Sequence, residues 1–259
     1  MSEFFGFGGY QRSAEGYLSW QHILFVSILM AIMIASAVIV GLRYRKKEND
    51  KKNLPLIVSA IAIDSFELFK IILLCFRENN PLNWLNNLPL FLCSIQLITI
   101  PLAAFSKGRL KEIALDFVFI FGMLGAVMGT YFAGNNYSVY PVLSFDNVVS
   151  GITHSISGFA ALYIAISGLA SMKWKNVPFC FLIMTVFCGL AYLADRLIPY
   201  NYMFLIRGDG TPYDILFNLV NGSEVAYPIL VVALFYLYIA LFYGVDRLVL
   251  KLRGHNQKH

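Results

Sequence analysis

A thiol and an imidazole at matching depth in two apolar segments are the residues of this chain best suited to covalent chemistry. Cys93 falls about four residues into an apolar run that begins near residue 89. At about 1.5 Å of rise per residue it lies roughly 6 Å below the surface at which that run starts, and His154 has a similar depth in the run beginning near residue 147. Thiolate is the reactive form of cysteine, and a neighbouring imidazole generates it, so the two residue types at one depth read as a nucleophile and its base. The competing reading is that Cys93 is a small buried hydrophobe, as free cysteines commonly are. His154 belongs to a stripe formed by Ser150, Gly151, Thr153, Ser157 and Gly158. An ionisable group inside a span is costly and faces the bundle interior. The same stripe of small residues also suits a close helix contact that holds a hydrogen-bonded histidine.

Other polar residues group around this pair. Gln96 shares a helical face with Cys93, and Ser157 lies one turn beyond His154. Asn201 and Tyr202, in a later loop on the same side, suit hydrogen bonds to a developing oxyanion or a lipid headgroup, and equally an anchor for their own loop. Asp64, Glu67 and Lys70 recur at helical spacing and form a structural polar network, pairing along one face rather than exposing isolated charge to lipid. Asp195 and Arg196 read as the cap of a span. A Cys75–Cys93 disulfide is an alternative to a free Cys93 thiol, since both lie near one surface. No GxSxG elbow, Walker loop, HExxH helix or dinucleotide fingerprint occurs, and the four cysteines lack CxxC spacing. No cofactor and no metal are called for.

The elements that must position these residues are membrane helices. With 58% apolar and 14% charged residues over 259 positions, the chain is too hydrophobic for a soluble domain and too long for one span. It reads as an all-α polytopic helix bundle, a single integral membrane domain over 1–259. About seven spans are predicted, near 20–42, 54–76, 89–106, 112–132, 147–170, 177–198 and 224–246. The first 19 residues lack the basic start and cleavage site of a signal peptide, so the first run stays as a span. Of the 20 Lys and Arg, 15 fall in alternate connections: Arg43 to Lys52, Lys107 to Lys111, Lys173 and Lys175, and the tail from Arg247 to Lys258. Arg12, Arg77, Arg196 and Arg207 lie on the other side, and Lys70 within a span. This asymmetry predicts an amino terminus outside and a carboxyl terminus in the cytoplasm. The net charge of +5 is thereby a topology signal rather than a nucleic-acid footprint. The longest outer loop contains an apolar patch, Ile215 to Val220, too short to span and suited to the interface.

The segments Leu88-Pro-Leu-Phe-Leu-Cys-Ser94 and Asn201-Tyr-Met-Phe-Leu205, with the basic turn at Lys107 to Lys111 and His154, resemble the YwaF-like bacterial integral membrane family over most of the chain. That family is in turn distantly similar to eukaryotic multispanning acyltransferases that remodel ether phospholipids through a membrane cysteine and histidine. The resemblance implies Cys93 as nucleophile, His154 as base, His22 as the family's early histidine near the substrate, and a bacterial cytoplasmic membrane as the location. Phospholipid and lysophospholipid are the implied partners, within the bilayer. Both reactive residues are placed in the outer leaflet, where acyl-CoA is absent, so the implied reaction is transacylation from a phospholipid to a lysolipid through a cysteine thioester. Hydrolysis by water, headgroup binding without chemistry, and small-molecule or lipid transport are the alternatives. A transporter calls for a polar lining through both leaflets, whereas the polar membrane residues here cluster towards one.

Overall fold

The structure is a computed structural model that describes residues 2–169 and 172–256. Every regular element among these is helical. The chain divides into two compact units, Met1–Ala170 and Ser171–His259. Ala170, the expected end of the fifth span, and Lys258 of the basic tail lie outside the described residues.

The first unit holds a short helix α1 (Ser2–Phe5), the long helices α2 (Trp20–Tyr44) and α3 (Asn49–Arg77), and the ten-residue α4 (Gln96–Phe105). It continues through α5 (Gly108–Met128), the short α6 (Gly134–Val139) and α7 (Phe145–Ser167). Local chemistry sets the ends. The Ser19 hydroxyl accepts from the His22 N–H to start α2, and Ser144 does the same for Asn147 at the start of α7. Gly168, at φ 75°, closes α7 in the left-handed conformation that glycine adopts without a Cβ penalty. Helix α7 is the hub: it packs against α2, α3 and α5, while α4 lies between α3 and α5. Leu56, Ile63, Ile100, Val118 and Ile164 from these helices share one buried apolar cluster.

The carboxyl-terminal end of α3 is clasped to the start of α7. Arg77 donates to both Asp146 oxygens, at 2.6 and 3.1 Å, and Tyr10 donates to the same carboxylate. Both ion-pair side chains are nearly buried, so the fork-to-fork geometry offsets a substantial desolvation cost. Arg77 also reaches the Phe5 carbonyl at 3.3 Å, and Phe5 packs on Leu73, Phe145 and Val149. The clasp thus holds the amino-terminal segment against the bundle.

The second unit holds α8 (Val177–Leu197), the short α9 (Asp214–Leu219) and α10 (Ala226–Asn256). Helix α10 buries Tyr227, Val231, Phe235, Ile239 and Tyr243, a row at fours on one face, and packs against α8. The expected interfacial patch at 215–220 falls on α9, with Ile215 and Leu219 exposed.

Each predicted span overlaps a helix, but among the described residues four helices are long and apolar enough to cross a membrane by themselves: those at Trp20–Tyr44, Phe145–Ser167, Trp174–Leu197 and Ala226–Val249. The third predicted span differs most. Residues 89–95 are turns rather than helix, and the ten residues of α4 rise only about 15 Å, half of a hydrocarbon core. Pro89 lacks an N–H and disfavours helix at Leu88. Apart from one helix-type bond, from Ile95 N–H to Phe91, tighter bonds replace the helical ladder, from Leu90 N–H to Leu88 and from Gln96 N–H to Cys93. Irregular backbone of this kind is tolerated at membrane depth where protein surrounds it. Helix α5 also ends four residues before the predicted 132, capped at Gly129.

Candidate functional site

Cys93 lies in the turn that leads into α4, outside the regular helix. Its side chain is hydrogen-bonded to His154 of α7, and its own backbone N–H also supports the sulfur. The Ser94 hydroxyl is 4.0 Å from Sγ. His154 is held from behind: Nδ1 lies 2.6 Å from the Ser150 carbonyl, one helical turn back. A carbonyl only accepts, so this contact places the ring proton on Nδ1 and leaves Nε2 with a lone pair for Cys93. Both residues are half-buried, so the pair is shielded yet reachable.

Helix α5 presses against both residues through glycines. A Cβ on Gly125 would meet Cys93 Cα and Cβ at 3.5 Å and Ser157 Oγ at 4.0 Å; on Gly129 it would overlap His154 Cδ2 and Nε2 at 1.9 Å. Gly122, one turn earlier, faces Ser157 and Ala161 so closely that an added Cβ would lie 2.8 Å from the Ser157 carbonyl. The glycine row on α5 is what lets α7 bring His154 up to the Cys93 turn. The polar stripe on α7 is therefore both a helix contact and the carrier of the histidine.

The remaining sequence-selected residues are placed as follows. Ser157 is buried, donates to the Gly122 carbonyl at 3.4 Å, and flanks Gly125 together with Cys93. Gln96 is fully buried; its Oε1 accepts from Thr99, and Nε2 has no partner among the described residues. His22 is fully buried with both ring nitrogens engaged: Nδ1 accepts from Leu18 N–H at 3.2 Å, and Nε2 donates to the Thr130 carbonyl at 3.0 Å. Its ring lies 3.9 Å from that of Tyr137. His22 thereby holds the turn next to Gly129. Glu67 and Lys70 form an ion pair at 2.5 Å, and Lys70 is an electrostatic neighbour of His154. Asp64 is exposed rather than joined to that pair.

In the second unit, Asn201 is a loop anchor. Its Nδ2 donates to the Arg207 carbonyl and Asp209 Oδ2, and its Oδ1 accepts from Ile206 N–H. Tyr202 is fully buried and its N–H donates to Asp195 Oδ1 at 2.6 Å, so Asp195 ties the loop to the end of α8 instead of capping the helix, and Arg196 bonds Tyr192 and Glu224. These bonds hold Met203 and Phe204 at positive φ. The expected alternative of a Cys75–Cys93 disulfide does not form: both thiols are free, and Cys75 donates weakly to the Pro81 carbonyl. Among the described residues, no three His, Cys, Asp or Glu side chains gather as a metal ion would require.

Sequence reasoning overlooked Gly125, Gly129 and the Arg77–Asp146–Tyr10 clasp. The small residues recurring in Gly122-Met-Leu-Gly125-Ala-Val-Met-Gly129 were the available signal for the first two. The clasp joins positions far apart in the chain and had none.

Fold and site together define a multispanning, all-helical membrane protein with a cysteine–histidine pair set where an irregular turn meets its central helix. The chain belongs to the TMEM164 family, which it matches over residues 17–245. Comparison with curated proteins and with solved structures gives no match.

Proposed function

We propose that this protein transfers acyl chains between membrane lipids through a thioester on Cys93, with His154 as general base. The observation that carries the reading is the Cys93–His154 hydrogen bond, with Nδ1 committed to Ser150 and Nε2 left to accept the thiol proton. A base oriented by a third group is the arrangement that activates a weak nucleophile. His154 Nε2 takes the proton from Sγ, and the thiolate adds to the ester carbonyl of a phospholipid. The tetrahedral intermediate collapses to a thioester, and His154 returns the proton to the departing lysolipid oxygen. A second lysolipid hydroxyl then gives its proton to Nε2 and attacks the thioester; the proton ends on Sγ and the acyl chain on the new lipid.

The likeness of the Leu88–Ser94 and Asn201–Leu205 segments to the YwaF-like family, and of that family to ether-phospholipid acyltransferases, supports this chemistry. The reading includes seven crossings with the amino terminus outside, which puts the pair in the outer leaflet and makes a phospholipid the acyl donor. Ser157, which flanks Gly125 together with Cys93, and Gln96, whose buried Nε2 has no partner among the described residues, are the candidates for substrate contacts. His22 acts by positioning, since both its ring nitrogens are already engaged.

The test uses purified protein in vesicles with phospholipid and isotope-labelled lysophospholipid, without CoA, followed by mass spectrometry. Labelled phospholipid formed by wild type and lost in Cys93→Ser and His154→Gln is the expected result. Free fatty acid in place of labelled phospholipid would reassign the site to hydrolysis. Equal exchange by Cys93→Ser would sink the thioester.

A further inference from the structure

The second unit carries a recess that acyl transfer at Cys93 does not use. Trp174, Gly244, Arg247, Leu248 and Lys251 line an open groove of about 670 Å3 between the turn preceding α8 and the last turns of α10. Its lining has an apolar part and a cationic part. Gly244 presents bare helix backbone, because a Cβ there would meet nothing within 4 Å. Leu248, one turn on, is exposed beside it. Trp174 is exposed too, with its ring 6.0 Å from Tyr243 on one side and the Arg247 guanidinium 5.8 Å over its face. Lys251 follows Arg247 by four residues and so occupies the same face of α10. The lining therefore contains two cations and no carboxylate; Asp246, next to Arg247, is part-buried and outside it.

The length of α10 gives the depth of this groove. About 20 residues cross a hydrocarbon core of roughly 30 Å, so a helix entering at Ala226 emerges near position 246. Arg247 and Lys251 then stand at headgroup level, with Gly244 and Leu248 at the edge of the acyl region. Lys173 and Lys175 flank the tryptophan, and the charge asymmetry of the chain assigns this end to the cytoplasm. Indole at the membrane boundary and cations facing an anionic leaflet are the groups that retain a lipid there.

We infer that this groove binds an anionic phospholipid of the inner leaflet, its phosphodiester between Arg247 and Lys251 and one acyl chain along Gly244 and Leu248 beside the Trp174 ring. The inference is independent of the chemistry at Cys93.

Native mass spectrometry of the full chain, from micelles holding equal amounts of phosphatidylglycerol and phosphatidylcholine with identical acyl chains, tests it. Wild type should retain phosphatidylglycerol selectively. Arg247→Gln/Lys251→Gln should lower that retention by roughly tenfold to thirtyfold, from two headgroup-level charges. Arg43→Gln/Arg45→Gln, which removes the same charge from another connection, should leave it unchanged. Equal retention of both lipids by wild type, or equal loss in the two double variants, would overturn the site. Displacement of the lipid by millimolar inorganic phosphate would overturn the lipid assignment in favour of a free anion. If the groove variant fails to fold, brominated lipids and the Trp174 fluorescence of wild type, obtained by difference from Trp174→Phe, still decide: no preferential quenching by brominated phosphatidylglycerol overturns the proposal.

Discussion

Replacing Gly129 by alanine should disable the Cys93–His154 pair without touching either residue. The new methyl would sit 1.9 Å from His154 Cδ2 and Nε2, and ordinary contact begins near 3.4 Å. The imidazole must therefore retreat by about 1.5 Å or the end of α5 must move away. The ring has little room to do so, because Nδ1 is held by Ser150 at 2.6 Å. Moving Nε2 that far ends its hydrogen bond to the thiol, and with it the general-base contribution of about 10²–10⁴-fold in acyl exchange. Overpacking of this kind costs about 1–3 kcal/mol in stability, which a folded membrane domain can survive. Gly125→Ala is the control, since its methyl meets Cys93 at 3.5 Å, an ordinary contact. Acyl exchange, the rate of Cys93 alkylation followed by peptide mass spectrometry, and thermal unfolding should be measured on both variants. Gly129→Ala should lose exchange and slow alkylation while remaining folded, and Gly125→Ala should keep both. Wild-type exchange in Gly129→Ala, or a loss confined to Gly125→Ala, would refute the placement of His154.

Three further outcomes are expected. Asp146→Asn leaves Arg77 nearly buried without its counter-charge; stability should fall by about 3 kcal/mol, on the order of 10 °C in Tm, and residues 2–18 should become sensitive to protease. Burial, then the hydrogen bond to Asp146, pushes the Tyr10 phenol up to about 12 from its usual 10. The fold thus favours the protonated phenol, so the stability advantage of wild type over Tyr10→Phe should be constant below pH 10 and shrink as pH rises from 10 to 12; an advantage that grows over that range contradicts the clasp. His22→Ala strands the Leu18 N–H and the Thr130 carbonyl and removes the stacking on Tyr137. It should cost about 2–4 kcal/mol in chemical denaturation and slow acyl exchange through the turn beside Gly129, whereas unaltered stability would exclude the positioning role.

Helix class was legible, and so were the residue types of the thiol and imidazole that the fold brings together, because both depend on local information. Apolar runs of span length specify helices wherever water is excluded, and Cys93 and His154 are a thiol and an imidazole within such runs. Span edges were less legible. The predicted helix at 89–106 loses its first seven residues to turns because Pro89 and a protein-lined setting outweigh a favourable hydropathy average, and α5 stops at Gly129 where the average ran on to 132. Asp64, Glu67 and Lys70 have helical spacing, yet only Glu67 and Lys70 pair, since spacing states which side chains share a face and not what opposes that face.

By itself, then, the sequence determined the solvent in which the chain folds, the helices that solvent enforces, and the residue types available for chemistry. Tertiary structure alone decided which of them meet. His22 and His154 are the same residue type in similar apolar runs, yet one has both nitrogens consumed by Leu18 and Thr130 while the other keeps Nε2 for a thiol. The difference lies in partners 61 residues away in the chain for His154 and 108 for His22. Close packing of α5 on α7 at Gly122 and Gly129 created it, because a Cβ at either position would push α7 away and keep the imidazole from the turn at Cys93.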